Sequence, residues 1–204
     1  LGRLLVTGNE ITSGDEGIEL ADFGPFQRLH GFSSITTLDV LISENTVNSV
    51  GSGIYLTYGS PGYDMHDNST VTLGSLSVRG NTIVAGGNGI WVDPDYLGAD
   101  MYGDASFSMG GMVVASNVIT AGASGIGLSP DYIAGVMEGT ASVTFGETGV
   151  QTNTIHAAGF EGIQFTLTSI GSEMIGSTGF TMGDIRIEGN TVACDLEGIQ
   201  IDNN

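Results

Sequence analysis

The chain has 204 residues and a net charge of −19, with 23 acidic residues, four arginines and no lysine. This balance argues against nucleic acid and anionic membranes as partners, because both attract a basic surface. No apolar run reaches the roughly 18 residues of a membrane-spanning helix, so no membrane insertion is expected. A highly charged, solvated surface suits an extracellular or cell-surface protein, and we expect that location.

One asparagine recurs along the whole chain. It stands at Asn9, Asn45, Asn81, Asn117, Asn153 and Asn190. The steps between these positions are 36, 36, 36, 36 and 37 residues. A Gly-Ile pair follows each asparagine, from Gly17-Ile18 to Gly198-Ile199. A fixed period between about 20 and 50 residues indicates a repeat array, so residues 1–204 are predicted to form a single β-solenoid domain.

Within one repeat, three segments alternate apolar and polar residues between turn-forming residues. They are Leu76–Arg79, Gly89–Val92 and Ser106–Met109. Such alternation over four to six residues predicts strands, and no segment has a sustained helical period. We therefore predict an all-β, single-stranded parallel β-helix of about 5.6 coils of 36 residues, with three short strands per coil and almost no helix.

Apolar residues recur at matching places in every repeat. One column runs from Ile11 to Val192, a second from Ile18 to Ile199, and a third from Leu20 to Ile201. We expect these side chains to point inward and stack between coils, since one coil cannot bury its own apolar residues. The long segment between the second and third strands has a column of its own, which predicts that it packs on the body. Its members are Leu29, Met65, Met101, Met137 and Met174.

The asparagine column is expected to mark a sharp turn. Asparagine tolerates left-handed backbone angles, and its amide can bond to backbone groups. Stacked asparagines can also bond to one another in an amide ladder. The single cysteine, Cys194, excludes an internal disulfide, and it is expected either to be buried or to bridge two subunits.

Several polar and aromatic residues are candidates for ligand sites. Asp64 with Asp100, and Asp95 with Asp131, share a place in successive repeats, and stacked carboxylates can hold calcium. Tyr55 and Trp91 share an outward position and could stack on a sugar ring. The third strand carries outward hydroxyl pairs such as Thr70 and Thr72, which resemble the ice-binding face of solenoid antifreeze proteins.

The repeated pattern V-x-x-N-x-I, turn, G-I-x-V resembles the right-handed parallel β-helix of the pectate-lyase-like superfamily. The resemblance implies right-handed winding and a three-sheet cross-section, although a repeat of 36 residues exceeds the family's usual coil of about 20 to 25. Enzymes of this family use calcium-bound carboxylates with an Arg or Lys base, or paired aspartates with Gly-His-Gly and Arg-x-Lys. None of these sets occurs, so we expect a non-catalytic member without a cofactor.

The pattern shows no capping element at either end, and the chain has neither an initiator methionine nor a signal peptide. We therefore expect an excerpt or a processed part of a longer chain. An open solenoid end exposes unpaired backbone and apolar side chains, so it is expected to dock another copy. The predicted function is an extracellular structural protein that assembles end to end into a filament, sheath or surface layer. Alternatives are a carbohydrate-binding adhesin or spike segment, a polysaccharide-active enzyme and an ice-binding protein.

For assembly, the predicted stacking residues lie in the first and last repeats. They are Asn9, Ile11, Ile18, Asn190, Val192, Ile199 and Ile201.

Overall fold

The computed structural model describes residues 3–21, 28–130 and 132–203. In these residues the chain winds through five complete turns and three strands of a sixth, and neighbouring strands are parallel throughout. The described residues contain no helix, and therefore none that could cross a membrane. The predicted all-β parallel solenoid with about 36 residues per turn is confirmed.

Each complete turn contains five short strands. The first turn has β1 (Arg3–Thr7), β2 (Glu10–Ser13), β3 (Ile18–Leu20), β4 (Arg28–Leu29) and β5 (Ser34–Thr36). The second has β6 (Asp39–Ser43), β7 (Thr46–Ser49), β8 (Ile54–Tyr58), β9 (Asp64–Met65) and β10 (Thr70–Leu73). The third has β11 (Leu76–Arg79), β12 (Thr82–Ala85), β13 (Ile90–Pro94), β14 (Asp100–Met101) and β15 (Ser106–Met109).

The later turns repeat this order. The fourth has β16 (Met112–Ala115), β17 (Val118–Ala121), β18 (Ile126–Leu128), β19 (Val136–Gly139) and β20 (Ser142–Phe145). The fifth has β21 (Thr148–Gln151), β22 (Thr154–Ala157), β23 (Ile163–Leu167), β24 (Glu173–Gly176) and β25 (Gly179–Met182). The sixth has β26 (Ile185–Glu188), β27 (Thr191–Cys194) and β28 (Ile199–Asn203).

Equivalent strands of successive turns pair into five sheets, which we name A to E in the order in which a turn visits them. Sheets A, B and C begin with β1, β2 and β3 and have six strands each. Sheets D and E begin with β4 and β5 and have five strands each. The strands pair so that each residue lies beside the equivalent residue of the next repeat. Ile83, for example, pairs with Val47 in the preceding turn and with Ile119 in the following turn.

The prediction of three strands per coil is wrong, because each complete turn has five. The predicted strands correspond to sheets A, C and E. Sheet B was missed as a set of strands, although its inward column from Ile11 to Val192 was recognised, because β12 has only four residues between the asparagine and the Gly-rich corner that follows. Sheet D was missed because β9 and β14 have only two residues each, which is too short for an alternating pattern.

The interior consists of the predicted columns. In the middle turns Val47, Ile83, Ile119 and Ile155 of sheet B are at most 2% exposed. The methionine column in sheet D is confirmed for Met65, Met101 and Met137, which are fully buried, whereas Met174 at the end of the column is 43% exposed. Methionine is unbranched and flexible, which suits it to fill the wide part of this cross-section. The long variable segment therefore packs on the body, as predicted.

The corner between sheets A and B, where the asparagine lies, differs from the expectation in one respect. The left-handed backbone angle falls on the residue before each asparagine, for example Glu44 (φ 58°) and Ser116 (φ 57°), and not on the asparagine itself. Glycine holds this position in other turns, including Gly80 (φ 64°), because it adopts positive φ at little cost. The asparagine side chain is thereby left free to bond between turns.

Candidate functional site

The asparagines form a continuous hydrogen-bonded ladder along the solenoid. The backbone N–H and the Nδ2 of Asn81 both donate to Oδ1 of Asn117, each at 2.9 Å. Nδ2 of Asn117 also donates to the carbonyl oxygen of Val78, 3.0 Å away in the preceding turn. The same pattern links Asn9 to Asn45 and Asn153 to Asn190. The predicted amide ladder is therefore present across all six turns.

The ladder has a direction. Each hydrogen bond that joins two asparagines has its donor in the lower-numbered turn and its acceptor in the higher-numbered turn. Among the described residues, Oδ1 of Asn9 accepts no bond, and the backbone N–H of Asn190 donates none. The first turn therefore presents an acceptor and the sixth turn presents a donor, so the two ends are complementary.

The predicted stacking residues lie at the two ends of the buried columns. In the sixth turn Ile199 is 50% exposed and Ile201 is 63% exposed, whereas their neighbours Ile163 and Phe165 in the fifth turn are at most 1% exposed. Val192 and Ile11 occupy opposite ends of the sheet B column and are half-buried. Ile18 in the first turn is buried, at 7% exposure, because Ile54 covers one side of it.

The Gly-Ile glycines bring successive turns into close backbone contact. A Cβ placed on Gly89 would lie 2.5 Å from the carbonyl oxygen of Gly125 and 2.3 Å from a methyl carbon of Ile119. Gly53, Gly125 and Gly162 meet the same obstruction from the turn that follows each of them. Gly198 has no atom within 4 Å of such a Cβ, since no described turn covers it. A Cβ added at Gly198 would therefore clash only if another turn were stacked on it.

Opposite charges also occupy one column. Arg3 lies 3.6 Å from Asp39 of the next turn in sheet A. In the sixth turn Asp184 precedes β26 at the position that Arg3 has in the first turn, and it bonds to Arg186 at 2.7 Å. A first turn stacked on the sixth in this arrangement would place Arg3 next to Asp184.

Tyr55 and Trp91 are neighbours on the outer face of sheet C, as predicted. The indole ring of Trp91 lies across Gly127, since a Cβ there would be 2.2 Å from Cε3 and 2.3 Å from Cζ3 of the ring. The ring thus covers the glycine and presents its other side outward. Partial burial and the nearby carboxylates of Asp93 and Asp95 raise the pKa of Tyr55.

Of the calcium candidates, Asp64 and Asp100 lie in sheet D, and Asp95 lies in the loop between sheets C and D. Asp64 pairs with Asp100 in register, and burial together with the charge of Asp64 raises the pKa of Asp100. The oxygens of Asp64 already have partners, because Oδ1 lies 2.7 Å from Nε2 of His66 and Oδ2 lies 3.5 Å from Arg28. Asp131 lies outside the described residues, and no cluster of three or more metal-ligating side chains occurs among the described ones. Calcium binding stays a prediction.

Two aromatic stacks beside sheet D were not predicted from the sequence. His30, His66 and Tyr102 are stacked with ring centroids 4.7 Å apart. Tyr96 and Tyr132 are stacked at 4.8 Å in the turn between sheets C and D. The shared register of His30, His66 and Tyr102 was visible as a column, but ring orientation depends on the corner geometry, which spacing does not encode.

The hydroxyl columns of sheet E face outward in pairs, and some bond between turns. Ser108 donates to the hydroxyl of Thr72 and Ser142 to that of Ser106, both at 3.3 Å. These hydroxyls therefore partly satisfy one another along the sheet. Ice binding by this face stays a prediction.

Comparison of the chain with protein-family profiles, curated proteins and solved structures finds no significant match. The likeness to the pectate-lyase-like superfamily thus depends on the repeat pattern and the parallel solenoid fold.

Proposed function

We propose that this protein is an extracellular structural β-solenoid that polymerises end to end, and that it is a right-handed, non-catalytic relative of the pectate-lyase-like proteins. The observation that carries the proposal is the complementarity of the asparagine ladder, which has an acceptor on Asn9 and a donor on Asn190. The high negative charge supports a solvated, extracellular setting.

In the proposed joint, the first turn of one copy stacks on the sixth turn of another. Ile11 would cover Val192, Ile18 would cover Ile199, and Leu20 would cover Ile201, so each apolar column continues across the joint. Sheets A, B and C extend through this contact. A head-to-tail contact that does not close produces a filament.

Gly198→Ala is expected to abolish polymerisation and leave the isolated subunit unchanged. The Cβ of the new alanine would have no atom within 4 Å of it in a single copy. In the joint it would clash with Gly17 of the next copy, in the same way that a Cβ on Gly89 would clash with Gly125. Electron microscopy and sedimentation measure the polymer, and thermal unfolding measures the subunit. Gly179→Ala is the control, because that Cβ also meets nothing and points outward from sheet E. Polymers of normal length from Gly198→Ala would contradict the proposed joint.

Charged substitutions in the joint should have the same effect. Ile199→Asp places a carboxylate on a surface that the joint would bury, and burying an unpaired charge is costly. Ile11→Asp does the same from the other end. We expect both variants to remain soluble single subunits in sedimentation, whereas unchanged polymers would count against stacking.

The register of the joint can be tested with the native cysteine. Cys194 and Ser13 occupy the same column of sheet B in the sixth and first turns. Parallel neighbours lie about 4.8 Å apart, which falls within the Cα separation of a disulfide, about 4.4 to 6.8 Å. Ser13→Cys should therefore cross-link polymers into covalent chains on non-reducing gels, whereas Thr12→Cys, which points outward, should not.

A second candidate function is carbohydrate binding on sheet C. The observation that favours it is the indole of Trp91 lying flat over Gly127, because an outward ring face can stack on a sugar. Trp91→Ala should abolish retention on a glycan array. Gly127→Ala keeps the indole but lifts it from the sheet, and we expect it to weaken binding at least tenfold. Equal binding by wild type and both variants would remove this candidate.

A further inference from the structure

The outer face of sheet A differs in charge from the rest of the molecule. The chain has four arginines against 23 acidic residues. Three of them, Arg3, Arg79 and Arg186, lie in strands β1, β11 and β26 of sheet A. The fourth, Arg28, lies in sheet D. Sheet A therefore carries most of the positive charge of the chain, and an acidic partner can find a cation there.

A groove crosses this face beside Arg79. It has two parts of about 180 and 400 Å³, and Ser75, Ser77 and Arg79 line both of them. The larger part is open because Gly110, Gly111 and Ala115 provide little side-chain bulk. Leu41 lines one part and Val113 the other, so apolar surface flanks the guanidinium on both sides.

Arg79 is the arginine of this groove whose charge is not neutralised. Arg3 lies 3.6 Å from Asp39 at one end of the groove, and Arg186 lies 3.3 Å from Glu147 at the other. Arg79 forms no ion pair with any residue in the described ranges. Guanidinium groups bind carboxylates through a planar fork of donors, so the groove suits a carboxylate supplied by a partner.

Another copy of this chain offers such carboxylates on its corner between sheets B and C. The acidic corner is formed by Glu161 of the fifth turn with Asp195 and Glu197 of the sixth, and Asp15 and Glu16 lie at the same corner of the first turn, which the proposed joint brings next to them. Asp15, Asp195 and Glu197 are exposed, and the other two are half-exposed. The Arg79 groove and the acidic corner are therefore complementary in charge.

We propose that the Arg79 groove binds the acidic corner of a neighbouring copy, so that filaments associate side by side. This inference rests on the proposed polymer and names its lateral contact. Because the two surfaces differ, the contact is heterologous and repeats without closing, which extends filaments into a sheet or layer.

The size of the face indicates how such a contact works. Six strands about 4.8 Å apart and four residues of about 3.3 Å each cover roughly 380 Å². A stable interface buries about 800 Å² on each partner. A single lateral contact is therefore weak, and association depends on many contacts aligned along a filament.

The first experiment measures the lateral contact without filaments. Subunits with Gly198→Ala, in which the joint is blocked, are coated densely on a column, and soluble Gly198→Ala protein is passed over them at about 0.15 M salt, where a Debye length of about 8 Å screens the repulsion between whole subunits but not a contact ion pair. We expect retarded elution that disappears at about 1 M salt, where charges are screened beyond roughly 3 Å. Adding Arg79→Gln should remove the retardation, whereas Arg28→Gln removes one positive charge elsewhere and should leave it unchanged.

The second experiment identifies the partner surface and uses filaments. Wild-type filaments should form bundles or sheets at about 0.15 M salt, where long-range repulsion is screened, and Arg79→Gln should leave single filaments. Glu161→Gln combined with Glu197→Gln should have the same effect as Arg79→Gln. The lateral contact would be overturned if the Arg79→Gln protein were still retarded on the column. It would also be overturned if filaments of Arg79→Gln, or of Glu161→Gln combined with Glu197→Gln, still formed bundles. Neither result would affect the joint. Absence of filaments in wild type would overturn the joint, and the column would still decide the lateral contact.

Discussion

Replacing Asn117 by alanine is expected to lower the free energy of unfolding by about 4 kcal/mol. The asparagine is 1% exposed, and its side chain takes part in four hydrogen bonds. A protein hydrogen bond contributes about 1 kcal/mol net, and buried groups that lose their partner cost more. Alanine would leave the backbone N–H of Asn81 buried and unpaired.

Chemical denaturation measures the loss of stability as a shift of the unfolding midpoint. Because repeat arrays can unfold in parts, amide hydrogen exchange in turns 3 to 5 measures the local effect. Asn48→Ala removes an exposed asparagine of β7 and should change stability by less than about 0.5 kcal/mol. Asn9→Ala is an intermediate case, since Asn9 is exposed and its side chain only donates. If Asn117→Ala and Asn48→Ala unfold alike, the ladder does not stabilise the fold.

Gly89→Ala is expected to destabilise the protein by about 3 kcal/mol, the upper range for inserting one carbon into a packed interior. The added carbon would lie 2.5 Å from the carbonyl oxygen of Gly125, so the backbone of the next turn must move. The backbone angle of Gly89 is not in the left-handed region, so the effect is purely steric.

Two glycines provide controls for this substitution. Gly198→Ala is in the same column but lies under no described turn, so the subunit should keep its thermal midpoint. A Cβ on Gly149 would meet only the side chain of Gln151, at 3.1 Å, which can move aside. Thermal unfolding of the three variants should rank Gly89→Ala well below the other two. A midpoint for Gly89→Ala equal to that of Gly198→Ala would show that the turns are less tightly stacked than described.

The inward columns could be predicted from sequence because stacking repeats the same environment in every turn. Ile54, Ile90 and Ile126 meet one another, so the requirement for a β-branched apolar residue recurs at one period. The amide ladder was predictable for the same reason. Neither prediction needed knowledge of the angle between sheets.

Features that depend on the corners between sheets could not be predicted. The sequence does not show that Glu44 and Ser116, and not the neighbouring asparagines, take the left-handed angle. It also does not show that the indole of Trp91 lies on Gly127, because this depends on the side-chain orientation. The strands of sheet D contain only two residues in β9 and β14, and no alternation can mark so short a segment.

The single inserted residue illustrates what the stacked geometry permits. Ala157 and Ile163 keep their partners Cys194 and Ile199, although the segment between them is one residue longer than its counterpart in the preceding turn. The corner between sheets B and C absorbs the addition, whereas one residue added within a strand would rotate all following side chains to the other face. Duplicating a whole turn would instead leave every neighbour unchanged. Genes for such chains can therefore grow or shrink by recombination in units of one coil without a new core having to evolve.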